Sequence, residues 1–350
     1  MDPTKLVTAS FTKALPKIEL HAHLSGSISR QCLHDLWLQK CTADPTFSLE
    51  DPLLAMPPGK VDYTLETFFN TFSNLTYHLL TDLPSIKYAT TSVLTDFLRD
   101  GVKYLELRTI PRSTPGFTKE AYLSTILSTI TAFQSANPAL TTRLILSIDR
   151  GHHSAPDASA IVDLALSLKP LVVGVDIAGN PSKGDVAIFG PALAKAKAGG
   201  LGVTVHFGEV KTPAREGELE TLLGFGPDRL GHVIHVGEDI KREIVRRGVA
   251  LELCISCNVH ARLFEGGFLD HHFGHWRGIG ECPVVLCTDD VGFFCSPVSN
   301  EYLIAAEHFD LTRADVVDIC REGVRVIFGG EEEKKRLYRL LDEFEAGYRE

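Results

Sequence analysis

Basic residues are in the minority in this chain. Its 350 residues include 35 Lys and Arg against 45 Asp and Glu, for a formal net charge of −10. That balance argues against a nucleic-acid backbone or an anionic membrane as the main partner. It leaves room for a phosphorylated small molecule, which needs only a local basic pocket. No apolar run approaches the length of a membrane span. The first twenty residues lack a charged-then-apolar layout, so no targeting segment is expected. The eight cysteines stand singly or inside apolar runs with no disulfide-like framework, which points to a reduced, cytoplasmic setting. One C-x-x-C, Cys254 and Cys257, has no second pair to complete a structural zinc site. We read both as small residues ending a buried strand. A Gly-rich phosphate loop is also missing: "HLSGSIS", after the first strand candidate, does not fit G-x-G-x-x-G, which weighs against an open doubly wound sheet.

Present instead is a globular composition, 44% hydrophobic and 23% charged, sufficient for a sizeable core. Eight apolar runs recur along the chain, at 17–24, 102–110, 142–150, 171–179, 201–209, 228–236, 249–257 and 283–292. Several are apolar on both faces, as parallel strands covered on both sides must be. Between them lie segments with helical spacing, at 84–101, 118–133 and 191–200. Strands alternating with helices in this number predict one (β/α)8 barrel domain over residues 1–350. The first two runs are set far apart, and 25–68 holds Pro45, Pro52, Pro57, Pro58 and Gly59. We expect residues 24–83 to form a helical and loop insertion over the barrel mouth. The tail, "EEEKKRLYRLLDEFEAGYRE", reads as an amphipathic helix.

A barrel concentrates functional residues at the C-terminal ends of its strands. Polar residues gather there in this sequence. His21 and His23 end strand 1, Arg108 strand 2, Asp149 strand 3 and Asp176 strand 4. His206 and Glu209 follow strand 5, His232 strand 6, and Asp289 and Asp290 strand 8. His21 and His23 are two apart, so they share one strand face. His21, His23, His206 and Asp289 together make an N/O donor set suited to one Zn2+ with a position left for water, whose pKa the ion would lower toward neutrality. Glu209 then stands beside the ion without ligating it, His232 is placed to orient or deprotonate the water, and Asp290 points elsewhere toward substrate. Two further histidine groups, His152 with His153 and "HHFGHW" at 271–276, read as solvated loop residues.

Assembled in this order, "ELHAHLSGS" (19–27), "VGVDIAGNP" (173–181), "HFGE" (206–209), "RLGHVIH" (229–235) and "CTDD" (287–290) resemble the adenosine/AMP deaminase family of zinc amidohydrolases. The resemblance spans nearly the whole chain. It implies a (β/α)8 barrel with one zinc held by His21, His23, His206 and Asp289, Glu209 as proton donor to a purine ring nitrogen, and His232 assisting the water. Asp289 counts in the catalytic group as well as among the ligands. Asp290 and the backbone at Gly179 would hold the purine. Strand 4, "LVVGVDIAG", has no lysine, so a second metal is not expected. The cytidine-type zinc deaminases use a different architecture, with H-x-E and P-C-x-x-C elements not assembled here.

Within that family, the nucleoside-specific enzymes carry Asp at the slot of Ser25, where a carboxylate would repel a 5′-phosphate. Ser25 removes that repulsion. The loop Thr109-Ile110-Pro111-Arg112 offers a hydroxyl, backbone amides and a guanidinium, a sensible phosphate clamp. The chain looks most like the subgroup that converts N(6)-methyl-AMP to IMP and methylamine, in which a histidine at the position of His78, an aspartate at Asp149 and a contact from His23 also meet the nucleotide. That subgroup usually has Asn at position 25, so Ser25 is a departure. The competing readings are an adenosine deaminase acting on the free nucleoside and a non-catalytic binding barrel. Either deaminase would be a monomer handling a small-molecule purine, with no nucleic-acid or membrane partner.

Overall fold

Strands that are apolar on both faces need cover on both faces. The computed structural model, which describes residues 6–348, provides it by closing the eight strands into a barrel ringed by helices. Residues 1–5 and 349–350 lie outside the described residues, and with them the start of the N-terminal stretch and the last two residues of the tail. The strands are β1 (Lys17–His23), β2 (Val102–Thr109), β3 (Thr141–Asp149), β4 (Val172–Ala178), β5 (Gly202–Phe207), β6 (Arg229–His232), β7 (Ala250–Leu253) and β8 (Val284–Leu286). They pair in sequence order, each parallel to the next. The seam between β8 and β1 is stitched just past the end of β8: the Asp289 N–H donates to His21 O at 2.8 Å, and the His23 N–H to Asp289 O at 3.0 Å. Barrel closure and the expected ligand set therefore use the same backbone.

The helices start and stop where their local chemistry says they should. Leu83–Arg99 begins with Asp82 accepting from the Ser85 N–H and has a proline in its first turn. It ends ahead of Gly101, whose φ of +84° and approach to Lys13 O leave no room for a side chain. Ser154 with Asp157, and Thr312 with Asp315, form capping boxes at Ala155–Ser167 and Arg313–Val326. The tail forms the helix Glu331–Gly347. Between β1 and the Leu83 helix lie Arg30–Ala43, Pro52–Ala55, Leu65–Thr71, a π-helical turn at Phe72–Thr76, and Tyr77–Leu79. Arg30 ties this segment to the loop after β8. Its buried guanidinium donates to the carbonyls of Pro57, Lys60, Gly292 and Phe293. The Phe68 and Phe72 rings pack on Phe293, with centroids 4.7 and 5.4 Å away.

Three apolar runs, those of β6, β7 and β8, end as strands four or more residues sooner than expected, β8 at Leu286. β6 stops at His232 because His232 and Val233 take φ of +65° and +56°, which turns the chain out of the sheet. β7 stops at Leu253, and the rest of its run folds into the helix Ile255–His260. Cys254 immediately precedes that helix and Cys257 lies inside it, so the C-x-x-C does not end a strand. A short apolar run does not by itself distinguish strand from buried helix.

The barrel interior is charged. Glu19, His21 and His23 alternate inward from β1, Glu106 and Arg108 from β2, and Thr204 and His206 from β5. Glu252 joins three of them, and Arg229 as well. One of its oxygens accepts from His21 Nδ1 (2.6 Å) and Arg108 Nη2 (2.8 Å), the other from Arg229 Nε (2.6 Å) and Thr204 Oγ1 (3.0 Å). Arg229 continues to Glu106 at 2.6 Å, and Glu106 accepts from the Tyr104 hydroxyl and the Phe328 N–H. Phe328 plugs the N-terminal end of the barrel, 3.6 Å beneath the Arg229 guanidinium. It fits there because positions 174 and 202 are glycine; a Cβ at Gly202 would come 2.4 Å from its ring. Removing one partner from a buried, paired set leaves an uncompensated charge at a cost of about 3–5 kcal/mol. Arg229→Met should lower stability by about that amount in equilibrium urea unfolding. A loss below about 1 kcal/mol would mean that this network does not hold the barrel together.

Candidate active site

β1 delivers His21 and His23 on one inward face, and the turn after β8 delivers Asp289 against them in the left-handed conformation, at φ +62°. Their donor atoms converge with His206 from β5. His206 Nε2 lies 3.2 Å from His21 Nε2 and 3.1 Å from His23 Nε2. Asp289 Oδ1 lies 3.5 Å from the first and 3.3 Å from the second of these β1 nitrogens. Two ligands each about 2.05 Å from a tetrahedral ion stand about 3.3 Å apart, so the spacing matches the edges of a zinc-type tetrahedron. The outward-facing ring nitrogens fix the tautomers. His21 Nδ1 gives its proton to Glu252, and His206 Nδ1 faces Ile177 O at 3.0 Å and Asp176 at 3.2 Å. Both Nε2 atoms therefore turn bare lone pairs toward one point, as carboxylate-backed metal ligands do. These four residues are able to hold a metal ion.

His232 completes the rim. Its Nε2 is buried without a hydrogen-bond partner among the described residues and lies 3.8 Å from Asp289 Oδ2. Donor atoms of His21, His206, His232 and Asp289 all fall within 4.8 Å of one another, so His232 stands closer to the expected ligands than a bystander would. The second Asp289 oxygen is engaged by the Cys257 thiol at 2.9 Å. Charge is apportioned around the centre. Burial alone would raise the Glu252 carboxyl, but the Arg108 and Arg229 guanidiniums hold it well below the usual carboxylate range. Asp176, beside His206 and Arg108, is likewise held down against its burial. Glu209 goes the other way: loss of water pushes its carboxyl up to about 7. Asp290 is also pushed up, by burial and by the neighbouring Asp289 and Glu209 carboxylates.

Beside the cluster a cavity of about 100 Å³ is lined by Gly179, His206, Gly208 and Glu209, with Arg150 at its wall. Gly179 has φ +97°, and a Cβ there would come 2.6 Å from Asp149 Oδ1. Asp149 is held by the Gly151 N–H and by His152. Gly26, one residue past Ser25, leaves the space that the Asp290 carboxyl occupies; a Cβ there would lie 1.5 Å from it.

The sequence matches the adenosine deaminase family model over residues 16–344. The chain belongs to the adenosine deaminase family. It is 36% identical over 339 residues to the human N6-methyl-AMP deaminase, covering 93% of this chain and 92% of that one. Among solved structures, an ADAL–IMP complex superposes with a TM-score of 0.89 at 30% identity, covering 97% of this chain and all of the other. Arabidopsis ADAL complexed with GMP gives 0.88 at 30% identity over 95% and 98%. The protein is accordingly a hydrolytic deaminase on a (β/α)8 barrel.

The remaining positions singled out in this deaminase fall into a second group. Thr109 ends β2 but is buried, its hydroxyl 2.7 Å from that of Tyr122. Arg112 donates to Leu80 O at 2.6 Å and stacks over Tyr77, Phe117 and Tyr122. Ile110 is half-buried and Pro111 buried between them. His78 is exposed, its Nδ1 donating to Ser73 O at 3.1 Å. Tyr77 links the two groups: burial pushes its hydroxyl up to about 12, Arg112 opposes that, and Asp149 and Asp290 add to it. One expectation fails. His271 and His272 are not solvated loop residues; they pack behind His232, and only His275 of that stretch is exposed. The buried network of Glu252, Arg229 and Glu106 was also missed, although charges inside apolar runs such as "ALEL" and "YLELRT" were its signal.

Outer partners of metal-ligating histidines typically contribute 10–100-fold in affinity. Glu252→Gln should therefore release bound metal to a chelator at about 10–100-fold lower chelator concentration than wild type. Unchanged metal retention in a folded Glu252→Gln protein would contradict the assigned role.

Proposed function

We propose that this deaminase hydrolyses N(6)-methyl-AMP to IMP and methylamine, with one zinc per chain, as a cytoplasmic monomer. The observation that carries the chemistry is the placement of Glu209. It reaches the cavity next to three histidines and an aspartate, and burial tunes its carboxyl to about 7, so it can both hold and release a proton near neutrality. Zinc bound by His21, His23, His206 and Asp289 would supply Lewis acidity and make water nucleophilic at neutral pH.

The chain's own residues do the rest. Glu209 gives a proton to the purine ring nitrogen next to carbon 6, which makes that carbon electrophilic. Water adds at carbon 6, its protons pass to the neighbouring bases, the C6–N bond breaks, and methylamine departs protonated. His232, 3.8 Å from Asp289, faces the side from which the water adds. Asp290 and the Gly179 backbone orient the purine. Residues 24–83 roof the pocket, with Tyr77 between the purine end and the phosphate end.

For the phosphate, support comes from three sources. Ser25 offers no carboxylate. Arg112 is fixed by Leu80 O and the Tyr77 ring, and no carboxylate forms an ion pair with it among the described residues. The human relative described above is named for N6-methyl-AMP, and the superposed structures hold the nucleotides IMP and GMP. His23, Ser25, His78, Thr109, Ile110, Pro111 and Asp149 complete the nucleotide contacts in this reading. Thr109 would act through its backbone, since its hydroxyl is engaged by Tyr122.

A phosphate near neutrality carries between one and two negative charges, and a charge-assisted hydrogen bond is about twice as strong as a neutral one. Arg112→Ala should therefore lower kcat/KM for N(6)-methyl-AMP far more than for N(6)-methyladenosine, chiefly through KM. Ser25→Asp should move the ratio in the same direction. A wild type that prefers the nucleoside, or a ratio that neither substitution moves, would make the enzyme an adenosine deaminase instead. Protein purified without added metal should carry one zinc by elemental analysis; two obligatory ions would contradict the assignment. Glu209→Gln should keep that zinc and lose about 100- to 10,000-fold in turnover. Retention of more than a few per cent of activity would remove Glu209 as the proton donor.

A further inference from the structure

His232 stands at the rim of the candidate metal cluster with a nitrogen that nothing among the described residues satisfies, so its protonation pattern decides what it does. A lone pair on Nε2 would make it a fifth ligand. A hydrogen on Nε2 would make it a donor to an oxygen at carbon 6. These outcomes are exclusive for a neutral ring, and the tautomer is set by whatever the other nitrogen meets.

His232 Nδ1 lies 3.1 Å from Asn258 Nδ2. Asn258 Oδ1 lies 3.1 Å from His271 Nε2, and His271 Nδ1 lies 3.0 Å from the backbone nitrogen of Phe273. The last of these has no ambiguity. Phe273 opens the helix Phe273–Ile279, where the first N–H groups have no intrahelical acceptor, and a backbone N–H only donates. His271 Nδ1 must then be bare, and its proton sits on Nε2. Burial keeps that ring neutral by holding its pKa well below the usual histidine range. The Nε2–H donates to the Asn258 carbonyl oxygen, which leaves the Asn258 amide NH2 facing His232. An amide NH2 can only donate, so His232 Nδ1 accepts, and its proton must be on Nε2.

We propose that Asn258 and His271 are positioning residues that transmit the polarity of one helix N–H to His232, locking it as an Nε2–H donor aimed at the reacting oxygen and excluding it from the metal's ligand set. Every member of the relay is buried. His232, Asn258 and His271 are each 2% exposed or less, so water does not compete for these bonds. His272 Nε2 holds the backbone of the strained residue as well, donating to His232 O at 2.5 Å. The ring is thus fixed at its backbone by one histidine and in its tautomer by another. The stretch "HHFGHW" is therefore functional, from a position forty residues downstream of the ring it governs. An Nε2–H donor is suited to hold the oxygen that adds to carbon 6 and to stabilise charge as it develops there.

The inference rests on the deaminase reading for its consequence in catalysis, but not for the tautomer itself. The test uses protein with its metal, 15N-labelled at histidine. The His232 resonances are those lost in His232→Gln. Wild type should show a protonated Nε2 and a bare Nδ1. Asn258→Asp keeps the shape but offers only acceptors, so it should move the His232 proton to Nδ1, retain metal, leave KM within about twofold and lower kcat by about 10–100-fold. His271→Gln keeps an N–H donor toward Asn258 and should retain more activity than His271→Leu. A bare Nε2 in wild type, or an Asn258→Asp protein with unchanged tautomer or unchanged kcat, would overturn the proposal. An Nε2–H tautomer in a wild type that deaminates no purine would leave the relay standing and refute the functional reading.

Discussion

A single carboxylate inside the barrel, Glu252, joins folding to chemistry. Two guanidiniums on one side give it its charge, and the imidazole of His21 on the other reads that charge as a proton acceptor. Without Glu252, Arg108 and Arg229 would be buried cations without their shared counter-ion, and His21 would lose the group that turns its lone pair inward. The same residue thus makes a charged barrel interior tolerable and orients a residue of the candidate metal cluster. A barrel of this type could be filled with branched aliphatic side chains. Here part of that volume is given to ions that pair with one another from the Phe328 plug up to the metal cluster. Buried pairs of this kind add little net stability over an apolar core but are costly to break singly. They specify where the histidines stand.

Backbone strain is found at the same place. Of the six non-glycine residues with positive φ among the described residues, three, His232, Val233 and Asp289, stand at or beside the cluster. His232 ends β6 and Asp289 lies in the turn after β8; both bring a side chain to the cluster, and both are held by neighbours: Asp289 by the β1 backbone and the Cys257 thiol, His232 by His272 and Asn258. Such conformations cost of order 1–3 kcal/mol each and persist where surrounding contacts over-determine them. The closed barrel supplies those contacts, since the hydrogen bonds that seal β8 to β1 are the ones that fix Asp289.

The fold was legible because parallel strands buried on both faces leave continuous apolar runs, and eight of them with helical spacers admit few architectures. The proposed ligands were legible for a related reason: His21, His23, His206 and Asp289 are polar residues placed where those runs end. Glu252 and Arg229 were harder to see. They sit in the middle of runs, and a one-dimensional pattern does not tell an inward charge from an interrupted strand; only the paired geometry across β2, β6 and β7 gives them meaning. His271 and Asn258 were hidden for a different reason. His271 reaches His232 from a loop and Asn258 from the helix Ile255–His260, and both placements are set by tertiary packing that the local sequence does not show. The Cys257 strand reading failed because the six-residue helix Ile255–His260 follows the short strand β7 after one residue, Cys254, with no charged break between them.

The account comes down to whether water replaces an amine at purine carbon 6 of a nucleotide. The most direct measurement is to incubate the purified protein with N(6)-methyl-AMP in water enriched in oxygen-18, and to analyse both products by mass spectrometry. The account predicts IMP carrying one heavy oxygen on the base, together with an equimolar amount of methylamine. Unlabelled IMP, release of ammonia without methylamine, or recovery of intact N(6)-methyl-AMP from metal-loaded protein would contradict it.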